Sequence, residues 1–574
     1  MIIRLFILQI YPFVIIKGNN CSSVCLKSLI LLKAQLMKKI ILITSVLLLV
    51  IIWIARLYFI SITGGNRSIE KSLESIPADA SIIFQFTNDK GFYELFNGYT
   101  LFDDVIGNSK KTELIFLKNQ LASHKRIAAL VDGQNLFLSL HHDKADSVSF
   151  LWIMPLKENW ELNDFFQDLK NTDSITYRII NTDKALSINI LQHNKTCFYL
   201  IIKNGIAVGS YSENLLKAYF DEKGEKISVQ FIKSISKENL KNQNSPANVF
   251  INLKALGLFL KTFYKSESTV NSILNNELQS YASLNMNFKN DALVFNGLVY
   301  ADTSKLNYNT IFLHQAPIKN TIVRIAPDNT STFLAYSLSD NAIFKKDIRA
   351  LLAEKKEWIK LNENLTQINT ETGINLEKET TKLWSNEFIT FQLSTQEKYG
   401  AIKLTNGEQM GFVLEPLSDQ YTDKIKKLRY ADILYTYFGD PFKPFQKPYY
   451  TILDNYLIFS NSAVSMQHFL NSYTKERVLY KTKSYIQFNR SVADVSTLFL
   501  FVHNYNSNSN YKSYLKPAFA GNWNNPNFGI NKFYGFSCQL SSNSTHFFAN
   551  VLAEYKILQE SDESSIDTLS SLVR

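Results

Sequence analysis

The sequence predicts an α+β protein in which an N-terminal transmembrane helix precedes two tandem, similar domains of antiparallel sheet with packed helices. Three observations predict this fold class. A run of sixteen uncharged, mostly aliphatic residues, 40–55, stands directly behind Met37-Lys38-Lys39. Apolar strands joined by tight turns recur through the rest of the chain, as expected for antiparallel hairpins. Four landmarks appear twice in the same order, about 250 residues apart, which indicates an internal duplication.

Residues 37–62 are predicted to be a transmembrane signal anchor. A spanning helix needs roughly 20 apolar residues, and the run reaches that length if it continues to Ile62. Residues 1–63 carry seven basic and no acidic side chains, so the positive-inside rule places the N-terminus in the cytoplasm. We therefore expect a single-pass protein of the bacterial inner membrane with a periplasmic body, in contact with the membrane through residues 40–62.

Two other interpretations of the same run stay open. It also fits the apolar core of a cleaved signal peptide, although the bulky stretch 55–60 is unlike a cleavage site, and it fits a buried helix. Residues 1–36 form a doubtful N-terminal extension, because Met37 and the two lysines after it make a complete translation start. Residues 63–75 are expected to be a linker.

The duplication divides the body into two α+β repeats, 76–306 and 322–556, joined by a linker at 307–321. An acidic, serine-rich tail, 557–574, is expected to be disordered. The landmarks are a proline turn before a strand, a strand followed by a helix, a hairpin followed by a helix, and a closing hairpin. In order, the paired segments are 76–86 with 325–336, 150–169 with 411–428, 198–220 with 449–470, and 284–300 with 536–555.

The charge of the chain says little about a basic or acidic partner. The net charge is +10, but residues 1–63 contribute seven of these charges, which leaves three for the body. A body so close to neutral lacks the electrostatic footprint of a nucleic-acid-binding protein, so we expect no nucleic acid partner. Cys197 and Cys538 lie in apolar, strand-like segments and are expected to be buried free thiols.

No compact catalytic motif is present, whether a phosphate-binding loop, a dinucleotide fingerprint, a zinc-protease helix or a nucleophile elbow. His141-His142-Asp143, with Asp146, has metal-binding residue types. Adjacent strand residues point to opposite faces, however, so the two imidazoles do not easily share one ion. Asp103-Asp104 is a carboxylate pair of the kind that glycosidases use, but it fits a helix start or a solvated loop better.

An aromatic stretch inside a polar, turn-rich loop, 522–529, could stack on a sugar or peptide. It follows Tyr505, Tyr511 and Tyr514, and a loop held by its own aromatic side chains explains it more simply. The sequence therefore predicts no catalytic, cofactor-binding or metal-ligating residue, and no cofactor. Whether the chain is an enzyme stays open, with a non-enzyme favoured.

An N-terminal apolar helix, a short polar spacer and then Ile76-Pro77-Ala78-Asp79-Ala80 opening a strand form a recognisable arrangement. It resembles a group of bacterial membrane-anchored envelope proteins classed only as a domain of unknown function. The resemblance implies an envelope location and no activity. It provides no functional residues to carry over.

The leading expectation is a binding or scaffolding module of the bacterial envelope, with an envelope protein or a lipid as its partner. The alternatives are a carrier of a hydrophobic or lipid ligand and an envelope hydrolase with a dispersed active site. An apolar cavity above about 300 Å³ favours the carrier. A cleft with convergent histidines and carboxylates favours the hydrolase, and filled cores with an exposed apolar patch favour the scaffold.

Overall fold

Antiparallel strand pairing organises the body of the chain. In the computed structural model, twenty strands of the described part of the chain join one sheet, and two short strands pair separately. The described residues are 70–90, 94, 104, 112, 115, 125–142, 147–157, 177–182, 185–191, 197–241, 245–265, 281–289, 291–304, 306–521 and 529–556.

The strands follow the apolar runs of the sequence. They are β1 Ile82–Thr87, β2 Asn135–His142, β3 Val148–Pro155, β4 Tyr177–Thr182, β5 Ala185–Leu191, β6 Cys197–Lys203, β7 Ile206–Ser210, β8 Ala247–Asn252, β9 Tyr281–Phe288, β10 Ala292–Tyr300, β11 Ile318–Lys319, β12 Thr330–Ser337, β13 Trp384–Leu393, β14 Lys398–Leu404, β15 Ser418–Gln420, β16 Lys426–Leu428, β17 Tyr449–Leu453, β18 Tyr456–Ser460, β19 Val495–Ser496, β20 Leu498–His503, β21 Phe533–Ser542 and β22 Phe547–Tyr555.

Helices connect many of these strands. The α-helices are Lys125–Val131, Glu213–Phe220, Val229–Lys241, Leu253–Lys261, Asn341–Glu354, Trp358–Thr372, Leu376–Thr380, Gly407–Leu414, Ile433–Phe438, Ala463–Thr474, Lys483–Arg490, Asn508–Tyr514 and Pro517–Ala520. The 3-10 helices are Thr310–His314, Ile322–Ile325, Glu415–Leu417, Asp440–Phe442, Leu479–Lys481 and Gly529–Lys532.

The first half of the sheet has the strand order β4-β5-β6-β7-β3-β2-β1-β8-β9-β10. The second half has the order β15-β16-β17-β18-β14-β13-β12-β20-β21-β22, so each strand has a counterpart at the same place. The closing strands of the halves, β10 and β22, pair with each other from Ala292 opposite Glu554 to Val299 opposite Phe547.

This pairing corrects the predicted fold class of two tandem domains. The strands form one continuous sheet, and residues 68–574 cluster as one compact unit. Each closing strand would otherwise present a row of unpaired backbone groups at a sheet edge. Pairing β10 with β22 satisfies both edges at once. Within 307–321, for which a linker is predicted, Ile311 and Phe312 are fully buried.

The predicted transmembrane helix is also corrected. Across the described ranges, no helix is both long enough and apolar enough to span a membrane. The segment on which that prediction rests, 37–62, lies outside the described residues. The predicted extension 1–36 and the predicted tail 557–574 lie outside them as well.

Local signals explain most of the matching elements. Asn204-Gly205 and Asp454-Asn455 all have positive φ, the geometry of the two-residue turns that favour hairpins. The two proline turns make the same backbone contacts, since the Ala78 amide donates to the Glu225 carbonyl at 3.0 Å and the Asp328 amide to the Arg477 carbonyl at 3.1 Å. One landmark is wrong in the second half, because residues 411–417 are helical rather than extended. The Asn406 side chain accepts the Gln409 amide and caps that helix.

Helices cover both faces of the second half of the sheet. On the front face, defined by Ile83 and Phe333, helices Glu213–Phe220 and Ala463–Thr474 cover the first and second halves respectively. On the back face of the second half, Phe388 stacks on Tyr336 with ring centroids 4.4 Å apart, beneath helix Asn341–Glu354. The core therefore consists of two apolar layers in the second half, one on each side of the sheet.

Candidate functional site

Three polar side chains meet at the front face of the first half. Ser139 and His141 are two residues apart on β2 and therefore share a face, and Asp79 lies in the proline turn before β1. The Nδ1 atom of His141 is 2.9 Å from the Asp79 carboxylate, and its Nε2 atom is 2.9 Å from the Ser139 hydroxyl. We call these three residues the relay.

The relay has the connectivity of a Ser-His-Asp catalytic triad, in which the serine attacks a bound substrate. Ser139 is 0% exposed and His141 is 1% exposed, so neither meets solvent. A nucleophile must contact its substrate, and a fully buried serine has no exposed surface for that contact. In this position the hydrogen bonds satisfy polar groups inside the core, which would otherwise be costly to bury.

The second half has no counterpart of the relay. Ile83 lies opposite Ser139 in the first half, as Phe333 lies opposite Phe391 in the second. By the same register, Leu393 takes the position of His141, and Asn329 takes that of Asp79. The relay is therefore an individual feature of one half and not a property of the repeated fold.

The residues considered as metal ligands separate in the structure. The His142 Nδ1 atom is 2.6 Å from the Thr262 hydroxyl, so the two adjacent imidazoles enter different hydrogen-bond networks. Asp143 and Asp146 lie outside the described residues. In the part of the chain that the structure describes, no group of three His, Cys, Asp or Glu side chains is arranged to hold a metal.

Asp104, from the carboxylate pair, accepts hydrogen bonds from Lys532 at 2.9 Å and from the Tyr555 hydroxyl at 2.6 Å. Its neighbour Asp103 lies outside the described residues, as does 522–528 of the aromatic loop. Asp104 is therefore held by a cation and a phenol that come from distant parts of the sequence. Its contacts resemble those of a structural carboxylate.

The second half contains a small, partly open pocket with a cavity volume of about 10 Å³, lined by Lys345, Ile348, Arg349, Trp358, Glu377, Thr436 and Tyr437. Burial raises the pKa of Glu377, but hydrogen bonds from Lys345 and Arg349 outweigh it and hold that pKa below its usual value. A cavity of this volume admits about one water molecule. It is far too small for a lipid.

An open surface lies where the two halves join. Phe231, in helix Val229–Lys241, packs on Tyr281 of β9 at 5.6 Å between ring centroids. Phe488, in helix Lys483–Arg490, packs on Tyr534 of β21 at 5.6 Å. Strands β10 and β22 lie between these two contacts, which are three strand spacings, about 14 Å, apart across the sheet and near opposite ends of the strands. The front face of β10 and β22 forms the floor of a shallow trough.

Three asparagines lie side by side on this floor. Asn285 pairs with Asn296 across β9 and β10, and Asn296 pairs with Asn550 across β10 and β22. Asn296 is exposed and the other two are half-buried. None of the three side chains has a hydrogen bond within the described residues, and the Asn550 Oδ1 atom is buried without a partner.

The amides on either side of this row are bonded. Gln539, next to Asn550, donates to the Ala493 carbonyl at 2.8 Å and accepts its amide at 2.9 Å. On the other side, Asn248 donates to Gln85 at 3.3 Å. The row thus changes from amides with at least one internal hydrogen bond at its ends to amides with none at its centre.

Aromatic side chains continue the floor toward one end of the strands. The ring centroids of Tyr300 and His546 are 5.9 Å apart, and those of His546 and Phe548 are 5.2 Å apart. Phe548 is 51% exposed. The His546 imidazole is held at both nitrogens. Its Nε2 atom is 2.9 Å from the Asn543 side-chain nitrogen, and its Nδ1 atom is 2.9 Å from the Thr545 hydroxyl. We call Asn285, Asn296, Tyr300, His546, Phe548 and Asn550 the junction trough.

Sequence reasoning did not find the junction trough. Its asparagines come from three strands, and the last lies more than 250 residues from the others. The available signal was weak: asparagine is unfavourable in strands, yet it occupies these strand positions. Only the pairing of β10 with β22 brings the residues together.

Comparisons with known proteins add little to this geometry. No family model matches the chain, and no curated protein matches it. A solved protein described as crystal form I of TP0453 is 11% identical to this chain, over 44% of this chain and 88% of that one. The TM-score of 0.23 is too low for this likeness to support an argument about fold or function.

Proposed function

We propose that this chain is a binding or scaffolding module that holds its partner in the junction trough. The observation that carries the proposal is the row of three asparagines without hydrogen bonds, beside a Phe548 ring that is 51% exposed. Buried polar groups in folded proteins are almost always hydrogen-bonded. Asn550 Oδ1 is one of several buried side-chain atoms of the described residues without a hydrogen bond, and it differs from the others in lying within a row of open amides beside an exposed ring.

The two alternatives have less support. A lipid carrier needs a cavity of roughly 300 Å³ or more, and the pocket described in the second half, at about 10 Å³, does not provide one. A hydrolase needs an accessible nucleophile, whereas the relay serine is fully buried. The envelope location stays a prediction, and the junction trough works as a binding surface in any compartment.

Photo-crosslinking tests the proposal at a residue that resembles the probe. A benzophenone analogue of phenylalanine replaces Phe548 in the trough and, in a separate variant, Phe412. Both phenylalanines are exposed, at 51% and 70%, and Phe412 lies on helix Gly407–Leu414, away from the trough. We expect a discrete adduct from position 548 in cells that make the protein and none above background from position 412. Equal yields at the two positions would contradict the proposal.

A further inference from the structure

We propose that the junction trough binds a neutral, linear oligosaccharide. This inference rests on the proposed function, because it names the ligand class for the same surface. It follows from three properties of the six trough residues: they include no aspartate, glutamate, lysine or arginine, three of them are open amides, and one of their rings, that of Phe548, is exposed.

The six trough residues match a neutral ligand in their charge. None of the six trough residues is an aspartate, glutamate, lysine or arginine. A charged ligand bound there would lose hydration without gaining an ion pair, which is costly. A lipid headgroup phosphate or an acidic polysaccharide would therefore bind poorly, whereas an uncharged polyol would meet no such penalty.

The hydrogen-bonding capacity of the floor matches hydroxyl groups. Each amide side chain carries an acceptor oxygen and a donor nitrogen, and each sugar hydroxyl both donates and accepts. The three asparagines lie on adjacent strands about 4.8 Å apart, so the row extends about 10 Å across the sheet. A row of this length suits several hydroxyls along an extended chain better than one compact ligand. A purely apolar ligand would leave Asn550 Oδ1 unsatisfied.

The aromatic end of the trough supplies the second kind of contact that sugars make. A pyranose ring has an apolar face of C–H bonds, which packs on an aromatic ring. Phe548 offers an exposed ring beside the amide row, and its edge-on contact with His546, which in turn packs at a tilt on Tyr300, restricts its movement. The trough therefore combines rings for the apolar face of a sugar with amides for its hydroxyls.

A peptide fits the same surface less well. An extended peptide binds by adding a strand to a sheet edge, and a helical peptide binds by placing an apolar stripe in an apolar groove. The trough floor is a sheet face whose edges are already paired. Its centre is polar, so it offers neither of these modes.

Titration of the purified full chain with defined sugars tests the inference. The probes are neutral hexasaccharides of glucose in β-1,4 and α-1,4 linkage and of N-acetylglucosamine, with a hexamer of galacturonate as the charged comparison. We expect calorimetry to detect binding of at least one neutral hexasaccharide, and at least tenfold weaker binding of the galacturonate. Phe548→Ala should weaken the sugar affinity at least tenfold, and Asn296→Leu should also weaken it. Phe412→Ala is the matched control and should leave the affinity unchanged.

The outcomes separate this inference from the proposed function. Failure of every neutral hexasaccharide to bind would overturn the inference, and so would equal binding of the galacturonate. A protein, peptide or lipid adduct at position 548 without sugar binding would also overturn it, yet would leave a binding module in place. Equal crosslinking at positions 548 and 412 would remove both proposals. Thermal unfolding of each variant shows whether a lost affinity reflects lost folding.

Discussion

The two halves of the sheet share one strand order but fill the front face differently. In the first half, Asp79, Ser139 and His141 bond to one another beneath the helices. In the second half, the corresponding positions hold Phe391 and Leu393, with Phe391 stacked on Tyr399 at 5.0 Å. The comparison teaches that strand pairing and turn geometry define this fold, and that its front face accepts either a polar or an apolar filling. The polar filling requires that every buried group find a partner.

The contact between β9 and β10, beside the strand pair that joins the halves, should be the contact most sensitive to substitution. Gly297 of β10 lies so close to β9 that a Cβ atom there would overlap the Ser283 carbonyl oxygen. We expect Gly297→Ala to lower the free energy of unfolding by about 3 kcal/mol or more, because backbone atoms must move. Urea denaturation followed by circular dichroism measures the change.

Gly411→Ala is the control for this prediction. Gly411 lies in helix Gly407–Leu414 with no atom near the added methyl group. Alanine is the better helix former, so this variant should be stabilised by up to about 1 kcal/mol. If Gly297→Ala were as stable as the unchanged protein, close approach of β9 and β10 at the junction would not matter for folding.

How far the sequence predicts this molecule depends on the range of the signal. Turns are local, so Asn204-Gly205 and Asp454-Asn455 predict both hairpins, and the proline turns predict the strands after them. The pairing of β10 with β22 is not local, and the sequence of neither strand indicates which strand it pairs with. The same holds for the candidate site, because Asn296 and Asn550 become neighbours only through that pairing.

A histidine in the second half should make stability depend on pH. His503 occupies the register position of Asn252 in the first half. Burial, aided by the charge of Lys556, lowers the pKa of His503 to about 4. The unfolded value is near 6.5, so the folded protein binds fewer protons. Stability is therefore full above pH 6.5 and is lost as the pH falls toward about 4.

The size of this loss follows from the pKa difference. We expect roughly 2–3 kcal/mol of the stability at pH 7 to disappear by pH 4 through His503 alone. Denaturation of the unchanged protein and of His503→Asn, each at pH 7 and pH 4, isolates the contribution of His503 to the pH dependence. The other titratable groups contribute equally in the two proteins. Parallel pH dependence in the two proteins would show that His503 is not the group responsible.

Breaking the relay should have a smaller effect. His141→Leu introduces the residue type that the second half has at the corresponding position, Leu393. It leaves the buried Ser139 hydroxyl without its partner. We expect a loss of about 2 kcal/mol, the usual cost of an unsatisfied buried group. Asp79→Asn, which copies Asn329, should cost less, because an amide can still accept from the imidazole. Equal stability of His141→Leu and the unchanged protein would mean that the relay does not stabilise the first half.

The smallest expected change is an increase in stability and not a loss. Asn550 keeps a buried acceptor without a hydrogen bond, which is costly if the trough is only a structural surface. Asn550→Leu should therefore stabilise the protein by about 1 kcal/mol while removing one amide from the proposed ligand site. Natural binding sites often give up stability in this way.

Asn296 is exposed, so Asn296→Leu should change the stability by less than about 0.5 kcal/mol. Denaturation of both variants checks the contrast, and a destabilised Asn550→Leu would show that this side chain already has the partner it needs.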